Sequence, residues 1–246
     1  MKLDIVLQGQ YTDYTKFIIS EYKKLDFVGK IILSSYQKVD DLVDVHQVIN
    51  NEFFCPTPGI GNRNLQIFTS RAGLREVTST YCVKMRTDQL IRLPSMYMMN
   101  QFFNDHRAFN RLFVLGMYRN FPYHPRDHVF WGYTTDLMNL FDIPFDTTNY
   151  AKYNSVWDID YNVTVRTETY IGQFYYAQFD ESVLEHIKSP SEFLMDSAPR
   201  KHEAMEKDWK IRDDLFMPFP KIDMEWPKHP GDRYYYGALM SEYWSE

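Results

Sequence analysis

The chain has 246 residues, of which 44% are hydrophobic and 17% are aromatic, so its composition excludes a generally disordered protein. Its formal net charge of −6 disfavours a broad electrostatic surface for DNA or RNA. Positive charge for an anionic ligand must therefore be local or come from a metal ion.

The first fifty residues contain short apolar runs separated by a helical pattern. Residues 3–7 and 27–33 are apolar runs of strand length, and apolar side chains recur at helical spacing over residues 14–25 between them. Residues 45–49 resemble a third strand. This succession of strand, helix and strand predicts a parallel α/β sheet.

A helix is predicted after a segment that is rich in Pro and Gly. Leu65, Phe68 and Ala72 lie on one helical face, and Asn62 precedes them at the position of an N-cap. Arg63 falls in the first turn, where the positive end of a helix favours an anion. The segment lacks the phosphate-loop and dinucleotide patterns, so an ordinary proline-bounded loop remains the alternative.

The next predicted strand covers residues 81–85 and runs directly into charged residues. Arg86 and Asp88 follow it, and a helix at 96–103 and a strand at 112–115 come next. Two interpretations of the charged pair remain open. Asp88 could hold Mg²⁺ or Mn²⁺ beside a diphosphate while Arg86 contacts the substrate, or Asp88 could cap the turn and pair with Arg86.

The second half of the chain predicts two further elements and a tail. VFWGY at residues 129–133 predicts a strand, followed by a helix near Thr135. Residues 167–178 predict a helix with Thr167 as its N-cap. Residues 190–246 are rich in Pro, Trp and charge and predict a tail that wraps the core. We therefore expect a single domain over the whole chain.

Candidate ligand-binding residues follow from this topology. Ligands of open α/β sheets collect outside the carboxyl ends of the parallel strands, where helix N-termini also point. We expect the following residues on that rim: Gln8, Gly9, Ser34, Ser35, Asn51 and residues 86–88.

The HPRDH motif places four polar side chains within five residues: His124, Arg126, Asp127 and His128. A zinc site of the metalloprotease type is disfavoured, because it needs two His at helical spacing with a Glu between them, and Pro125 breaks a helix here. A loop that lines a sugar or phosphate pocket fits the motif better.

Three residues further along the chain allow both a functional and a purely structural interpretation. Glu168 lies just inside a predicted helix start, where it either completes a cap or acts as a general base on an acceptor hydroxyl. Lys228 and His229 lie on a Pro-bounded loop and either close over a phosphate or face solvent.

The sequence also predicts a cytoplasmic location. Cys55 and Cys82 are too few for a disulfide framework and favour a reducing compartment. The apolar run at the N-terminus is too short for a signal peptide, and no segment approaches the length of a membrane span.

Several segments, in this order and spacing, resemble the WavE family of lipopolysaccharide core synthesis, a family that occurs in bacteria and large viruses. They are DIVLQG, GNRNLQI, YCVKMRTDQ, HPRDHVFWGYTTDLMNLF and EWPK. The resemblance covers most of residues 3–178 together with residues 225–228.

The resemblance implies a GT-A-like, Rossmann-type fold with a mixed, mostly parallel sheet flanked by helices. It also implies a strand-end acidic motif that holds Mn²⁺ or Mg²⁺ against a donor diphosphate. Asp88 and His229 would then be metal ligands, although Arg86 stands where the family has the first acid. By the same resemblance Gln8 and Gly9 lie near the nucleotide base, and Arg63 lies near the diphosphate.

These features together predict a glycosyltransferase that moves a sugar from a nucleoside diphosphate sugar to a glycan or glycolipid hydroxyl. Glu168 is the first candidate for the base and Asp127 is the second. Arg63, Arg86 and Lys228 would contact the donor. The alternatives are a nucleotidyltransferase that makes a nucleotide sugar and a non-catalytic glycan-binding module.

Overall fold

The computed structural model describes residues 2–36, 38–40, 42–49, 58–59, 62–117, 122–147, 167–187, 198–219, 222–225 and 233–235. The strands, in chain order, are β1 (Leu3–Gln8), β2 (Val28–Ser35), β3 (His46–Ile49), β4 (Tyr81–Arg86), β5 (Leu90–Ile91), β6 (Leu112–Val114), β7 (Val129–Tyr133), β8 (Phe216–Pro218), β9 (Asp223–Glu225) and β10 (Arg233–Tyr235). The helices are α1 (Asp13–Tyr22), α2 (Arg63–Leu74), α3 (Leu93–His106), α4 (Thr134–Phe141), α5 (Thr167–Ala177) and α6 (Ala198–Leu215).

Seven strands form the main sheet in the order β3-β2-β1-β4-β7-β6-β8. The pairs β1–β2, β1–β4, β2–β3 and β6–β8 are parallel, whereas β7 is antiparallel to β4 and β6. The predicted mixed and mostly parallel sheet is confirmed. A smaller antiparallel sheet has the order β10-β9-β5.

Two apolar clusters cover the two faces of the main sheet. Alternation along β1 sends Leu3, Ile5 and Leu7 into one cluster and Val6 into the other. Helices α1 and α3 supply residues to the first cluster, and helices α2, α4 and α5 supply residues to the second. Helices therefore flank the sheet on both sides, which explains why its central strands are apolar on both faces.

Helix α2 forms where it was predicted, but it buries a different face. Leu65, Phe68 and Ala72 are half-buried, whereas Ile67 and Leu74 are almost fully buried. The reason is Gly73, where an added Cβ would lie 2.6 Å from a methyl carbon of Val6 on β1. At Gly73 the helix lies so close to the sheet that an added side chain would clash, and a search for apolar side chains does not detect such a position.

The predicted N-cap of α2 is also wrong in its chemistry. Asn62 occupies the N-cap position, but its backbone is left-handed, with φ 60°, and its side chain makes no capping hydrogen bond. The amide of Asn64 instead donates to the carbonyl of Pro58. A backbone carbonyl of the preceding turn, rather than the Asn62 side chain, thus accepts a hydrogen bond from the first turn of the helix.

The C-terminal region contributes to the main framework. Helix α6 precedes β8, which pairs in parallel with β6 at the edge of the main sheet. The prediction of one domain with a wrapping tail at 190–246 stays a prediction. Among the helices in the described ranges, none combines the length and the apolar character that crossing a membrane requires.

A buried carboxylate connects β1 to its neighbours at the end of the sheet opposite the rim. Asp4 is 1% exposed and accepts backbone hydrogen bonds from Lys30 at 2.9 Å, Thr78 at 2.9 Å and Ser79 at 3.1 Å. Burial alone would raise the pKa of Asp4, but these N–H donors outweigh it and lower the pKa. The ionised carboxylate therefore stabilises the arrangement of three chain segments.

We expect Asp4→Asn to lower the free energy of unfolding by about 1–3 kcal/mol, because the amide nitrogen must face at least one N–H donor. Urea unfolding measures this difference. Asp26 is exposed, so Asp26→Asn serves as a matched control with an expected change within about 0.5 kcal/mol. Equal stability of the two variants would contradict the structural role of Asp4.

Candidate active site

A cleft of about 510 Å³ opens at the carboxyl ends of β1, β2 and β4. It is lined by Gln8, Gly9, Gln10, Tyr11, Thr12, Tyr36, Asn62, Leu65, Gln66, Arg86, Thr87 and Asp88. Arg86 and Asp88 are the charged residues among these. The described part of the lining thus carries one positive and one negative charge.

Sheet register brings the predicted rim residues together. Gln8 on β1 pairs with Ser34 on β2 and with Arg86 on β4. Gln8, Gly9, Arg86 and Asp88 all line the cleft. Ser34 is buried, and its hydroxyl donates to the Thr69 carbonyl at 2.7 Å, so it secures α2 and does not line the cleft.

The turn after β4 is fixed to the turn after β1. The amide of Thr87 donates to the carbonyl of Gln8 at 3.1 Å, and its hydroxyl donates to the carbonyl of Gln10 at 2.8 Å. The Thr15 hydroxyl donates to the Thr87 carbonyl at 3.1 Å. Gly9 has φ 133°, which favours glycine. The backbone that carries Arg86 and Asp88 is therefore fixed.

Arg86 and Asp88 form a two-pronged ion pair across this turn. Nε and Nη2 of Arg86 donate to Oδ1 and Oδ2 of Asp88, both at 2.9 Å. Their side chains are 29% and 20% exposed. Burial alone would lower the pKa of Arg86, but hydrogen bonding to Asp88 and the charge of Asp127 raise it. The guanidinium is thus permanently charged and partly open to the cleft.

A second carboxylate lies behind Arg86. Asp127 Oδ2 is 3.6 Å from Arg86 Nη1 and accepts a hydrogen bond from Gln66 Nε2 at 2.9 Å. The Asp127 side chain is 3% exposed. Burial alone would raise the pKa of Asp127, but His128, Lys84 and Arg86 lower it to about 2. This carboxylate is a weak base that orients Arg86.

Two further titratable groups surround Asp127. Lys84 is fully buried and donates to the Asp127 carbonyl at 3.2 Å, and burial lowers its pKa to about 8. His128 Nδ1 is 2.5 Å from Gln89 Nε2, and burial lowers the pKa of His128 to about 4. A neutral His128 then accepts this bond through Nδ1. The HPRDH loop therefore builds a buried polar network behind the cleft.

Helix α6 anchors this loop from the far side. Asp208 accepts a hydrogen bond from the Tyr123 amide at 3.0 Å, and Arg212 is 3.6 Å from its other oxygen. Burial is the largest influence on Asp208 and raises its pKa to about 6. The loop also contacts α5, where His124 Nδ1 and the Thr169 hydroxyl are 2.7 Å apart. The position of Asp127 thus depends on two helices.

Glu168 lies in the first turn of α5 and is half-buried. Its negative charge contributes to raising the pKa of both Lys84 and Arg86. Glu168 therefore lies within electrostatic reach of the charged cluster that borders the cleft. Glu168 is not among the described residues that line the cleft, so its role as a base stays a prediction.

Arg63 is placed away from the predicted diphosphate position. It is 1% exposed, its Nη1 contacts Asp146 Oδ2 at 2.5 Å, and its guanidinium lies 4.5 Å from the ring centroid of Tyr170. The side chain points into the protein and joins α2 to α5. A helix start locates backbone N–H groups, but it does not set the direction of the side chain.

Three predicted site residues, Asn51, Lys228 and His229, lie outside the described residues. A metal site at Asp88 fits the described residues poorly, because both carboxylate oxygens accept hydrogen bonds from Arg86. The described ranges also contain no group of three or more His, Cys, Asp or Glu side chains that could hold an ion.

Sequence reasoning did not single out three of the residues that form the cleft. Tyr11 and Tyr36 line it, and the Tyr36 hydroxyl donates to the Leu65 carbonyl at 3.2 Å. Each tyrosine follows the carboxyl end of a parallel strand, and that position is the signal that could have identified it. Gln66 lies three residues after Arg63 on α2, and its side chain donates to Asp127 rather than to Asp146.

No protein-family model and no curated protein matches the chain. Solved structures with a similar course of the chain include S. aureus TarS, at 12% identity and TM-score 0.43, over 72% of this chain and 33% of TarS. HddC from Yersinia pseudotuberculosis has 13% identity and TM-score 0.39, over 63% of this chain and 85% of HddC. The galactosyltransferase LgtC, in complex with donor and acceptor sugar analogues, has 12% identity and TM-score 0.42, over 99% of this chain and 97% of LgtC.

The chain spans about a third of the first of these structures. With identities of 12 to 13%, the activity has to be inferred from the residues of the chain itself. The WavE-type resemblance stays a prediction.

We expect Gly9→Ala to destabilise the protein by about 1–3 kcal/mol, since its backbone is unfavourable for alanine. The added Cβ would also lie 2.7 Å from the Thr87 hydroxyl. Gln10→Ala is the control, because Gln10 is exposed and only its backbone carbonyl binds Thr87. Chemical unfolding of both variants measures the effect, and unchanged stability of Gly9→Ala would refute it.

Asp208 should make stability pH-dependent. Burial raises the pKa of its carboxyl from the ordinary value of 3.8 to about 6, so the folded state binds more protons than the unfolded state and loses stability as pH rises through this interval. We expect the free energy of unfolding of Asp208→Asn to rise relative to that of the wild type as pH increases from about 4 to about 7, by about 2–3 kcal/mol in all. Urea unfolding across this range measures the difference, and a difference that does not vary with pH would contradict the expectation.

Proposed function

We propose that the chain is a glycosyltransferase that moves a sugar from a nucleoside diphosphate sugar to a hydroxyl of a glycan or glycolipid acceptor. The observation that carries this proposal is Arg86, whose guanidinium faces a cleft of about 510 Å³ at the carboxyl ends of parallel strands. A cleft of this size suits a small ligand, and this edge of an α/β sheet is where nucleotides bind.

The polar groups of the cleft suit the two ends of such a donor. A guanidinium presents donors in a planar fork that matches two phosphate oxygens. Tyr11 and Tyr36 supply aromatic surface for a nucleobase or a sugar, and the Gln8 and Gln10 amides offer both donors and acceptors. The nucleobase of the donor would lie beside β1 and β2, and its diphosphate would lie towards β4.

Sugar transfer replaces one C–O bond with another. The bond between the anomeric carbon and the leaving phosphate oxygen breaks, the acceptor oxygen bonds to that carbon, and the acceptor's proton moves to a base. Glu168 is our candidate for this base because it lies near the charged cluster. Arg86 would offset the negative charge that develops on the leaving diphosphate, a kind of contribution commonly worth several kcal/mol.

The predicted Mn²⁺ or Mg²⁺ is not needed in this scheme. In the ligand-free cleft both oxygens of Asp88 accept hydrogen bonds from Arg86, and His229 lies outside the described residues. We therefore assign the charge-offsetting role to Arg86. A role in lipopolysaccharide or other glycan synthesis and a cytoplasmic location complete the proposal.

The first test is product analysis with a panel of nucleotide sugars and glycan acceptors, in which release of a nucleoside diphosphate supports sugar transfer. Arg86→Gln should lower turnover by about 10²–10³-fold. Arg75 is exposed outside the cleft, so Arg75→Gln is a control that should remain active. Pyrophosphate release from a nucleoside triphosphate and a sugar phosphate would show a nucleotidyltransferase, and glycan binding without any turnover would show a binding module.

The second test addresses the base. Glu168→Gln keeps the shape of the side chain but removes its basicity, so turnover at saturating donor and acceptor should fall by about 10²–10⁴-fold. Thermal unfolding of the variant checks that α5 is intact. Near-wild-type turnover would show that Glu168 is not the base.

A further inference from the structure

We infer that Asp88 competes with the ligand's phosphate for Arg86, so that an anion enters the cleft by displacing the Asp88 carboxylate. This inference rests on the proposed function, since it concerns how the donor diphosphate reaches Arg86. It assigns Asp88 a role opposite to that of a metal ligand.

The charge of the cleft supports this role. Arg86 and Asp88 are the charged groups among the described lining residues, and two bonds of 2.9 Å join them. Within the described lining these two charges cancel, so this part of the ligand-free cleft offers an anion little net attraction. Asp88 occupies the Nε–Nη2 edge of the guanidinium and Asp127 lies beside Nη1, so a phosphate that takes the Nε–Nη2 fork has to displace the Asp88 carboxylate.

The two carboxylates that flank Arg86 differ in their freedom to leave. Asp127 is 3% exposed and is bonded to Gln66, whereas Asp88 is 20% exposed at the cleft. Solvent can hydrate Asp88 after a rotation of its side chain. If Asp127 moved away from Arg86, in contrast, an ion pair in the interior would be broken and a buried charge would be left without its partner. Asp127 therefore keeps Arg86 in position when Asp88 is displaced.

The backbone between the pair confines the change to side chains. Thr87 is bonded through its amide, hydroxyl and carbonyl to Gln8, Gln10 and Thr15. Arg86 and Asp88 are consequently held on a fixed turn. Displacement of Asp88 then requires side-chain rotation and leaves the turn itself in place.

A divalent cation at Asp88 would face an electrostatic obstacle. It would have to replace Arg86 as the partner of the carboxylate while the guanidinium, held by Asp127, remained next to it. Two adjacent positive centres repel each other in a partly buried site. Anion binding at Arg86 meets no such obstacle, because the anion replaces Asp88 as the negative partner of the guanidinium.

The test is calorimetric titration of the full chain with inorganic pyrophosphate in the presence of a chelator. We expect Asp88→Asn to bind pyrophosphate about two- to tenfold more tightly than the wild type, because the competing charge is removed. Asp40 is exposed and pairs with Lys38 away from the cleft, so Asp40→Asn changes the net charge equally and should bind like the wild type. Asp88→Ser provides a second variant if Asp88→Asn folds poorly, as judged by its thermal unfolding without ligand.

Arg86→Gln, alone and combined with Asp88→Asn, shows where the anion binds, and neither variant should bind pyrophosphate. Binding by the double variant as tight as that of Asp88→Asn would overturn the inference, since the gain would not require Arg86. Weaker binding by Asp88→Asn would also overturn it, as would wild-type binding that, in a parallel titration without chelator, needs Mn²⁺ and is lost in Asp88→Asn. Either result would leave the proposed donor site intact. Absence of binding in both the wild type and Asp88→Asn would remove the phosphate site of the proposed function as well.

Discussion

The candidate site depends on one arginine held between two carboxylates. Arg86 ends β4, bonds Asp88 at the cleft surface and lies 3.6 Å from Asp127 in the interior. The inner carboxylate fixes the direction of the guanidinium, and the outer one balances its charge. The register of β4 beside β1 places this arrangement next to Gln8, so the sheet and the site share the same backbone geometry.

Burial of Asp127 is tolerable because its surroundings supply compensating charge and hydrogen bonds. Lys84, Arg86 and the Gln66 amide all lie close to it, and an ionised carboxylate without such partners would be strongly unfavourable in the interior. The loop that carries Asp127 is secured by Asp208 on α6 through the Tyr123 amide. The C-terminal helix thereby contributes to the site although it lies outside the cleft lining.

The sequence predicted those features of the fold that depend on local periodicity. Short apolar runs located β1, β2 and β4, and the rule for carboxyl ends then brought Gln8 and Arg86 together. Features set by distant contacts were not predicted. Arg63 pairs with Asp146 at a separation of 83 residues, and Gln66 donates to Asp127 at a separation of 61 residues. No local pattern encodes either contact. Burial of α2 around a glycine escaped prediction for a related reason, since close backbone approach leaves no apolar signature.

The spacing along β4 also explains why the surface position carries arginine. Lys84 and Arg86 are two residues apart and share one face of the strand, with the lysine in the interior and the arginine at the cleft. Burial lowers the pKa of Lys84 to about 8, whereas Arg86 keeps its charge in any protonation state of its neighbours. A guanidinium also has enough donors to face Asp127 while it exchanges one anionic partner for another, and a compact ammonium group lacks that planar fork. The interior lysine thus supports the charge balance, while the arginine provides the permanent cation that an anionic ligand can reach.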